Sequence, residues 1–283
     1  MAINTTNTPR AWSPDIHVFE PGDVIGDALV LTHSTVAGQI EGDEPVVRVA
    51  YVDDAAADFV AEGAEIPEDD PTLSEATVAT GKVATLVRVS REQYLQSGAA
   101  GMLSDSMRRA VVTRANEAFI SQPAPSGGAV TPPAGLLNVD GLAEGGEVGD
   151  NLDPLIDLVS QITADGGHPS GVLLSPQAWG ALQKIKTGDG SAQGLLGAGA
   201  GASQTSLLGL PVAVSPAVPA FNGMVIDKGA IVSAAGKVQV ASSDDVYFSS
   251  DSVGLRVTFR FGATVVRPER LGVFTVANGN DEV

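Results

Sequence analysis

The stretch from Val46 to Ser90 constrains the fold more than any other part of the sequence. It holds two strand-like runs, 46–52 and 83–89, separated by an acidic segment that contains Pro67 and Pro71. In the second run the β-branched residues alternate, so they share one face of a strand. We therefore predict a long hairpin-like arm that pairs the two runs and projects from a globular body. Because a two-stranded arm is marginal in water by itself, this feature indicates contact with another molecule.

Composition excludes several classes of protein. The 283 residues include no cysteine, which excludes a disulfide framework, thiolate metal sites and thiol catalysis. The net charge of −18, from 16 basic and 34 acidic residues, argues against free nucleic acid as a ligand, because phosphate binding needs a basic stripe. No apolar run approaches the roughly 18 residues of a transmembrane helix, and the start lacks a signal-peptide pattern. We therefore expect folding in the cytoplasm, without membrane contact.

No catalytic or metal-binding motif emerges from the sequence. The three histidines, His17, His33 and His168, lie far apart, and neither a zinc-protease nor a nucleophile-elbow pattern is present. The carboxylates at the arm tip lack the spacing of a calcium loop. The glycine-rich run at 197–201 lacks the spacing of a phosphate-binding loop. We therefore expect neither enzymatic activity nor a cofactor.

Helices and strands alternate after the arm. Ser90 is placed to cap a short helix, and an apolar stripe with a spacing of three to four residues predicts a longer helix at 102–121. A helix at 153–165, a buried strand at 171–174 and a helix that starts at a Ser-Pro pair then predict an α/β region. Short strands close the chain, and clean alternation at 253–261 predicts a half-buried one.

The first 45 residues predict an extended segment that precedes the arm. The first fourteen positions are rich in Asn, Thr and Pro, with Trp12 as an isolated apolar residue. A segment that also carries Ile16, Val18 and Phe19 is expected to dock on a surface. Trp12 is therefore a candidate contact residue.

The order of these parts resembles the major capsid protein of tailed double-stranded DNA bacteriophages with the HK97-type fold. The resemblance spans nearly the whole chain and implies an α+β, HK97-like fold in a structural shell protein. The phrases that carry it are EGAEIP at 62–67, KVATLVRVSREQYLQ at 82–96, PAGLL at 133–137, LLSPQAWGAL at 173–182, LLGLPV at 207–212, MVID at 224–227 and GLRVTFRFG at 254–262.

The resemblance implies five regions. They are an N-arm at 1–45, an extended β-hairpin called the E-loop at 46–89, a P-domain with a long spine helix at 90–129, an A-domain at 130–250, and P-domain return strands with a C-terminal tail at 251–283. Pentamers and hexamers of this homo-oligomer would form an icosahedral shell in the virion, assembled in the host bacterial cytoplasm. The shell would enclose double-stranded DNA without sequence-specific binding, which the net acidity fits.

The resemblance also implies partners and subunit contacts. A separate scaffolding protein and a portal are expected, with a decoration protein as an optional further partner. Covalent crosslinking is not expected, because the only lysine of the arm lies in the returning strand. Acidic residues of the tip would pair with basic residues of a neighbouring copy, at about 0–1 kcal/mol for each isolated pair. The candidate contact residues are Trp12, Glu65, Glu68, Asp69, Asp70, Lys82, Arg88, Arg108 and Arg109.

Two alternatives stay open from the sequence. An encapsulin-type bacterial nanocompartment shares the fold and would fill with protein cargo, so the nucleic-acid content of purified particles would discriminate it. An acidic β-rich adhesin or binding module belongs to a different class and would remain a monomer.

Overall fold

Over the residues that the structure describes, the fold combines two six-stranded sheets, a two-stranded arm and six helices. A computed structural model describes residues 16–52, 73–96, 99–188, 191, 193–196 and 206–278. The helices are α1 (Pro21–Ile25), α2 (Leu29–Thr32), α3 (Arg91–Tyr94), α4 (Ala99–Ser121), α5 (Asp153–Ala164) and α6 (Pro176–Lys184). The strands are β1 (Ile16–Phe19), β2 (Thr35–Ile40), β3 (Val46–Val52), β4 (Leu73–Ala79), β5 (Gly81–Ser90), β6 (Ala143–Val148), β7 (Gly171–Leu174), β8 (Ser206–Leu207), β9 (Leu210–Val214), β10 (Asn222–Ile226), β11 (Ile231–Gly236), β12 (Val238–Tyr247), β13 (Ser252–Val265) and β14 (Gly272–Val276).

The first sheet is built around the long strand β13. β11 and β12 follow one another along one edge of β13, and β5 lies antiparallel along the other edge. β1 pairs with β12 and β2 pairs with β11 on the far side of those strands. Among the described residues β5 is therefore an outer strand, with a partner on one side only.

One face of the first sheet, the inner face, packs on α4. The alternation predicted for 83–89 is confirmed, because the odd-numbered residues of β5 turn inward and the even-numbered residues are exposed. The apolar stripe predicted for the long helix is also confirmed, although α4 begins at Ala99, before the predicted start. Residues buried together at this contact include Val89, Val257, Phe259, Met107, Val111 and Phe119.

The second sheet has the order β6-β14-β10-β7-β9-β8 and carries α5 and α6. The predicted α/β region is confirmed here, with α5 at Asp153–Ala164 and a buried β7. The hydroxyl of Ser175 caps α6 by accepting a hydrogen bond from the backbone N–H of Ala178 at 3.1 Å. The glycine-rich run at 197–201 lies outside the described residues.

The arm pairs different strands from those predicted. β3 pairs with β4, from Val46 opposite Ala79 to Val52 opposite Leu73, whereas the predicted partner at 83–89 belongs to β5 in the first sheet. The predicted pairing is therefore wrong. The physical reason is that β5 and β13 alternate in step, so their antiparallel register brings the apolar side chains of both strands onto α4 together.

The root of the arm packs on the body of the same chain. Val49 of β3 and Val78 of β4 are buried against Ile40, Val232 and Ala234, on the outer face of the first sheet, opposite α4. The arm approaches the sheet so closely that a Cβ at Gly38 of β2 would lie 3.2 Å from the side chain of Val47 and 3.3 Å from that of Val49. The root therefore gains buried area from its own chain.

Two further expectations differ from the structure. Residues 16–40 are not an extended arm, because α1, α2 and β2 bury Ile25 and Val30 in the core. The reason is a tertiary contact: the backbone N–H of Leu29 donates to the Asn116 side chain on α4, which fixes this segment on the helix. The sheets also divide the chain differently from the predicted regions. β11 and β12 fall within the region predicted as the A-domain at 130–250, yet they pair in the first sheet with β13. β14 falls within the predicted return strands at 251–283, yet it pairs in the second sheet.

Candidate functional site

The outer face of the first sheet is the most distinctive surface of the described chain. The arm root covers this face over β2 and β11 and leaves the rest uncovered; on that part Gly254 is buried beneath Tyr247 and Arg260 is partly buried. We call the part that the arm root does not cover the open face. It consists of Lys82, Ala84, Leu86 and Arg88 of β5, Gly254, Arg256, Thr258 and Arg260 of β13, and Gln239, Ala241 and Ser243 of β12.

The open face is positively charged in an otherwise acidic chain. Four of its positions are basic and none is acidic, whereas the whole chain has 34 acidic and 16 basic residues. The register places Lys82 opposite Arg260 and places Arg256 opposite Leu86. Leu86 is 60% exposed, which adds an apolar contact between the cations. A surface of this kind suits an acidic partner.

Two of the four cations are held in position by neighbouring side chains. The guanidinium carbon of Arg88 lies 5.0 Å from the ring centroid of Tyr247, at the distance of a cation–π interaction. Arg260 is largely buried and donates to the carboxylate of Asp43 at 2.7 Å and to the hydroxyl of Thr80 at 2.9 Å. Because Asp43 and Thr80 flank the arm, Arg260 fastens the arm root to the sheet. Lys82 and Arg256 are the cations that remain available.

A cleft of about 600 Å³ lies between the first sheet and the segments at 20–22 and 41–43. Its walls carry three basic residues, Lys82, Lys237 and Arg260, and three acidic residues, Glu20, Glu41 and Asp43. Lys237 forms an ion pair with Glu20 at 3.0 Å, and Arg260 is paired with Asp43. The lining of the cleft is therefore balanced in charge, and Lys82 lies where the cleft meets the open face.

The structure brings together two of the predicted contact residues. Lys82 and Arg88 lie on the same face of β5. Arg108 and Arg109 lie on α4, in the other layer; Arg108 is paired with Asp27 of its own chain at 3.1 Å, and Arg109 is exposed. The remaining predicted residues lie outside the described residues, namely Trp12, Glu65, Glu68, Asp69 and Asp70.

Arg256 and Arg260 are the members of the open face that sequence reasoning missed as contact residues. The signal was present, since both occupy the polar positions of the alternating run at 253–261. What the sequence did not show is the pairing with β5, which places these arginines beside Lys82 and Arg88.

A metal site and a membrane-spanning helix are both absent from the described part of the chain. It holds no cluster of three or more His, Asp or Glu residues arranged to bind a metal ion. Nor does any helix within it have the length and apolar character needed to cross a membrane.

The sequence matches one known family. The sequence model described as the Phage capsid family matches residues 34–276. No curated protein matches the sequence significantly. Because the match covers most of the chain, this protein belongs to the phage capsid family.

Solved structures with a similar fold come from phages and from a GTA particle. A structure from Gordonia phage Cozz has a TM-score of 0.67 at 19% identity and covers 88% of this chain and 86% of that chain. A structure from Microbacterium phage Oxtober96 has a TM-score of 0.65 at 12% identity, with 98% and 100% covered. A structure titled as the capsid of a native GTA particle has a TM-score of 0.62 at 18% identity, with 86% and 88% covered. At these identities the likeness establishes the fold.

The predicted HK97-like α+β fold is confirmed, and the chain is a structural major capsid protein of the virion shell. The nanocompartment and adhesin alternatives are not favoured, because the matched family and these similar structures are those of phage and GTA capsids. The family is a structural one, and its members form shells by oligomerisation.

Proposed function

We propose that this chain assembles into pentamers and hexamers of an icosahedral shell, and that the open face receives the acidic arm segment of a neighbouring subunit. The observation that carries the proposal is an exposed basic sheet face on a chain with a net charge of −18. The sequence supplies a matching partner, since residues 53–72 contain eight acidic residues and no basic one. In this proposal β3, β4 and residues 53–72 form the E-loop, the first sheet with α4 forms the P-domain, and the second sheet forms the A-domain.

The expected contact is weak for each pair and strong for the shell. An exposed ion pair contributes about 0–1 kcal/mol, because water screens the charges and the side chains lose freedom. The same contact recurs at every subunit of a closed ring, so small contributions add up over a capsomer. Individual steps stay reversible, which allows misplaced subunits to leave. Since the charges are exposed, assembly should weaken as ionic strength rises.

The wider role follows from the same proposal. The shell encloses double-stranded DNA without reading its sequence, and the acidity of the chain supports packing of DNA without adhesion. A separate scaffolding protein, a portal and an optional decoration protein act with the shell, which assembles in the host bacterial cytoplasm. The chain itself performs no catalysis.

The experiment is a charge swap between the two surfaces. The variant Lys82→Glu/Arg256→Glu should retain the circular dichroism spectrum of the wild type, because neither side chain has an ion pair within the described residues. Its yield of shells, measured by sedimentation and negative-stain microscopy, should fall at least tenfold. Adding Asp69→Lys/Asp70→Lys to the same chain should restore shells, since the ion pairs then re-form with reversed sign.

A matched control reverses charge elsewhere. Lys184→Glu on α6 changes the net charge by the same amount per residue and should leave shell yield unchanged. Normal assembly of Lys82→Glu/Arg256→Glu would contradict the role of the open face. A loss of assembly that the second pair of substitutions does not relieve would contradict residues 53–72 as its partner.

A further inference from the structure

The outer edge of β5 carries a row of backbone groups without a partner. The backbone N–H of Arg91 donates to the carbonyl oxygen of Asp251 at 3.0 Å, which marks this facing pair as hydrogen-bonded. In an antiparallel ladder hydrogen-bonded and non-hydrogen-bonded pairs alternate. Odd-numbered residues of β5 therefore point their N–H and C=O groups at β13, and even-numbered residues point them away. No described strand lies on that side.

The apolar layer beneath this edge is incomplete as well. Val83 and Val87 turn toward α4 but remain partly exposed. On the neighbouring strand the facing residues Phe259 and Leu255 are 1% and 8% exposed. The difference indicates that one further strand beside β5 would bury the row. A long unpaired edge of this kind is a template for pairing with another chain, and soluble proteins usually protect it.

A groove runs along the first half of this edge. It has a volume of about 360 Å³ and lies between β5, α4 and the pair Pro132–Pro133. Ala118 and Arg114 of α4 form part of its wall. A strand added to β5 would lie about 4.8 Å from it, on the side where this groove opens.

We propose that the outer edge of β5 accepts an extended acidic segment of a second copy as an added strand. The inference rests on the proposed shell assembly and extends it from ion pairs to main-chain hydrogen bonds. The edge presents the N–H and C=O groups of Lys82, Ala84, Leu86 and Arg88, while the side chains of Lys82 and Arg88 flank it with positive charge. Strand addition of this kind draws its affinity from the main chain and its selectivity from the side chains.

The acidic segment between the arm strands is the occupant with the required chemistry. Residues 53–72 hold eight acidic residues and no basic one, which complements the cations beside the edge. Residues 53–66 contain no proline, so every N–H in them can join a ladder. Residues 1–15 lack this charge, with Arg10 and Asp15 as their charged side chains.

The first test removes one backbone donor from the edge. In Ala84→Pro the lost N–H points away from β13, so the hydrogen bonds between β5 and β13 stay intact. Proline is tolerated on an edge strand when the missing N–H would face solvent, as it does here in the unassembled subunit. The matched control Ala84→Ser keeps the N–H at the same position. We expect Ala84→Pro to unfold at the wild-type temperature and to give at least tenfold fewer shells, whereas Ala84→Ser assembles normally. Normal assembly of Ala84→Pro would overturn strand addition.

The second test needs no substitution, so it remains informative if Ala84→Pro does not fold. Hydrogen exchange with single-residue resolution compares wild-type shells with unassembled subunits. The amides of Ala84 and Leu86 should exchange at least tenfold more slowly in shells, whereas those of Thr85 and Val87 are protected in both states. Equal exchange of Ala84 in the two states would overturn the inference. Failure of the wild type to form shells at all would instead contradict the proposed function.

Discussion

Replacing Gly262 by alanine should destabilise the junction between the arm and the first sheet. A Cβ at this position would overlap the carbonyl oxygen of Ala79 and lie 2.9 Å from its carbonyl carbon, with Val78 at 3.0 Å. The first two atoms belong to the backbone of β4, so a rotamer change cannot relieve the clash and the strand itself must shift. Overpacking of this kind costs about 1–3 kcal/mol. In domains of roughly 150–250 residues, each kcal/mol lowers the melting temperature by about 2–4 °C.

Urea denaturation of unassembled Gly262→Ala, followed by circular dichroism, measures this loss. Gly180→Ala on α6 is the matched control, because a Cβ there meets no atom within 4 Å. It should stabilise the chain by about 0.5–1 kcal/mol, as alanine is the better helix former. A Gly262→Ala variant as stable as the wild type would refute the close packing of β4 on β13, and with it the position of the arm root.

Two other predictions concern a half-buried histidine and a pair of helix caps. Burial, followed by the charge of Lys228, lowers the pKa of His33 from its ordinary value of 6.5, so the unfolded chain takes up this proton first. The free energy of unfolding should therefore fall as the pH drops below about 6.5. Urea titrations at several pH values measure this dependence, and His33→Gln should remove the part that His33 contributes. An unchanged dependence on pH in His33→Gln would refute the assignment. Ser175→Ala should cost about 1–2 kcal/mol because its cap on α6 is fully buried. Ser90→Ala, at a more exposed cap on α3, should cost less, and equal losses in the two would contradict this reasoning.

The local elements were predictable because their signals lie within one segment. The alternation at 83–89 and the stripe of α4 each reflect burial on one face, which a single period records. The caps at Ser90 and Ser175 depend only on the next three residues. In each case the sequence contains the whole cause of the structure.

The pairing of the arm was not predictable, for a physical reason. β4 has the sequence LSEATVA at 73–79, and its Ala, Ser and Glu residues have a low preference for strands. Its partner β3 is selected by tertiary contacts, since Val78 is buried only against Ile40 and its neighbours on the sheet. Local propensity favours the run at 83–89 as the partner of β3. It does not reveal that β13, far along the chain, is the strand with which this run pairs.

The same limit applies to the site. Lys82 and Arg88 were found because they lie within a clear strand signal, but the open face exists only once β13 adds Arg256 and Arg260 beside them. The register between two strands separated by more than 150 residues is a global property of the fold. A single sequence shows the alternating charges of each strand and not their common surface.

The packing of the arm root also changes what a neighbouring subunit has to supply. A free two-stranded arm would need a large apolar surface on its neighbour, because it would have to be ordered at the moment of binding. Here Val49 and Val78 already bury the root on the first sheet, and Arg260 fastens its entry through Asp43 and Thr80. The direction of the arm is then fixed before assembly, and less conformational entropy is lost on contact. In the proposed assembly a few ion pairs and main-chain hydrogen bonds would then suffice, and a basic, weakly apolar face would serve as a subunit contact that forms reversibly.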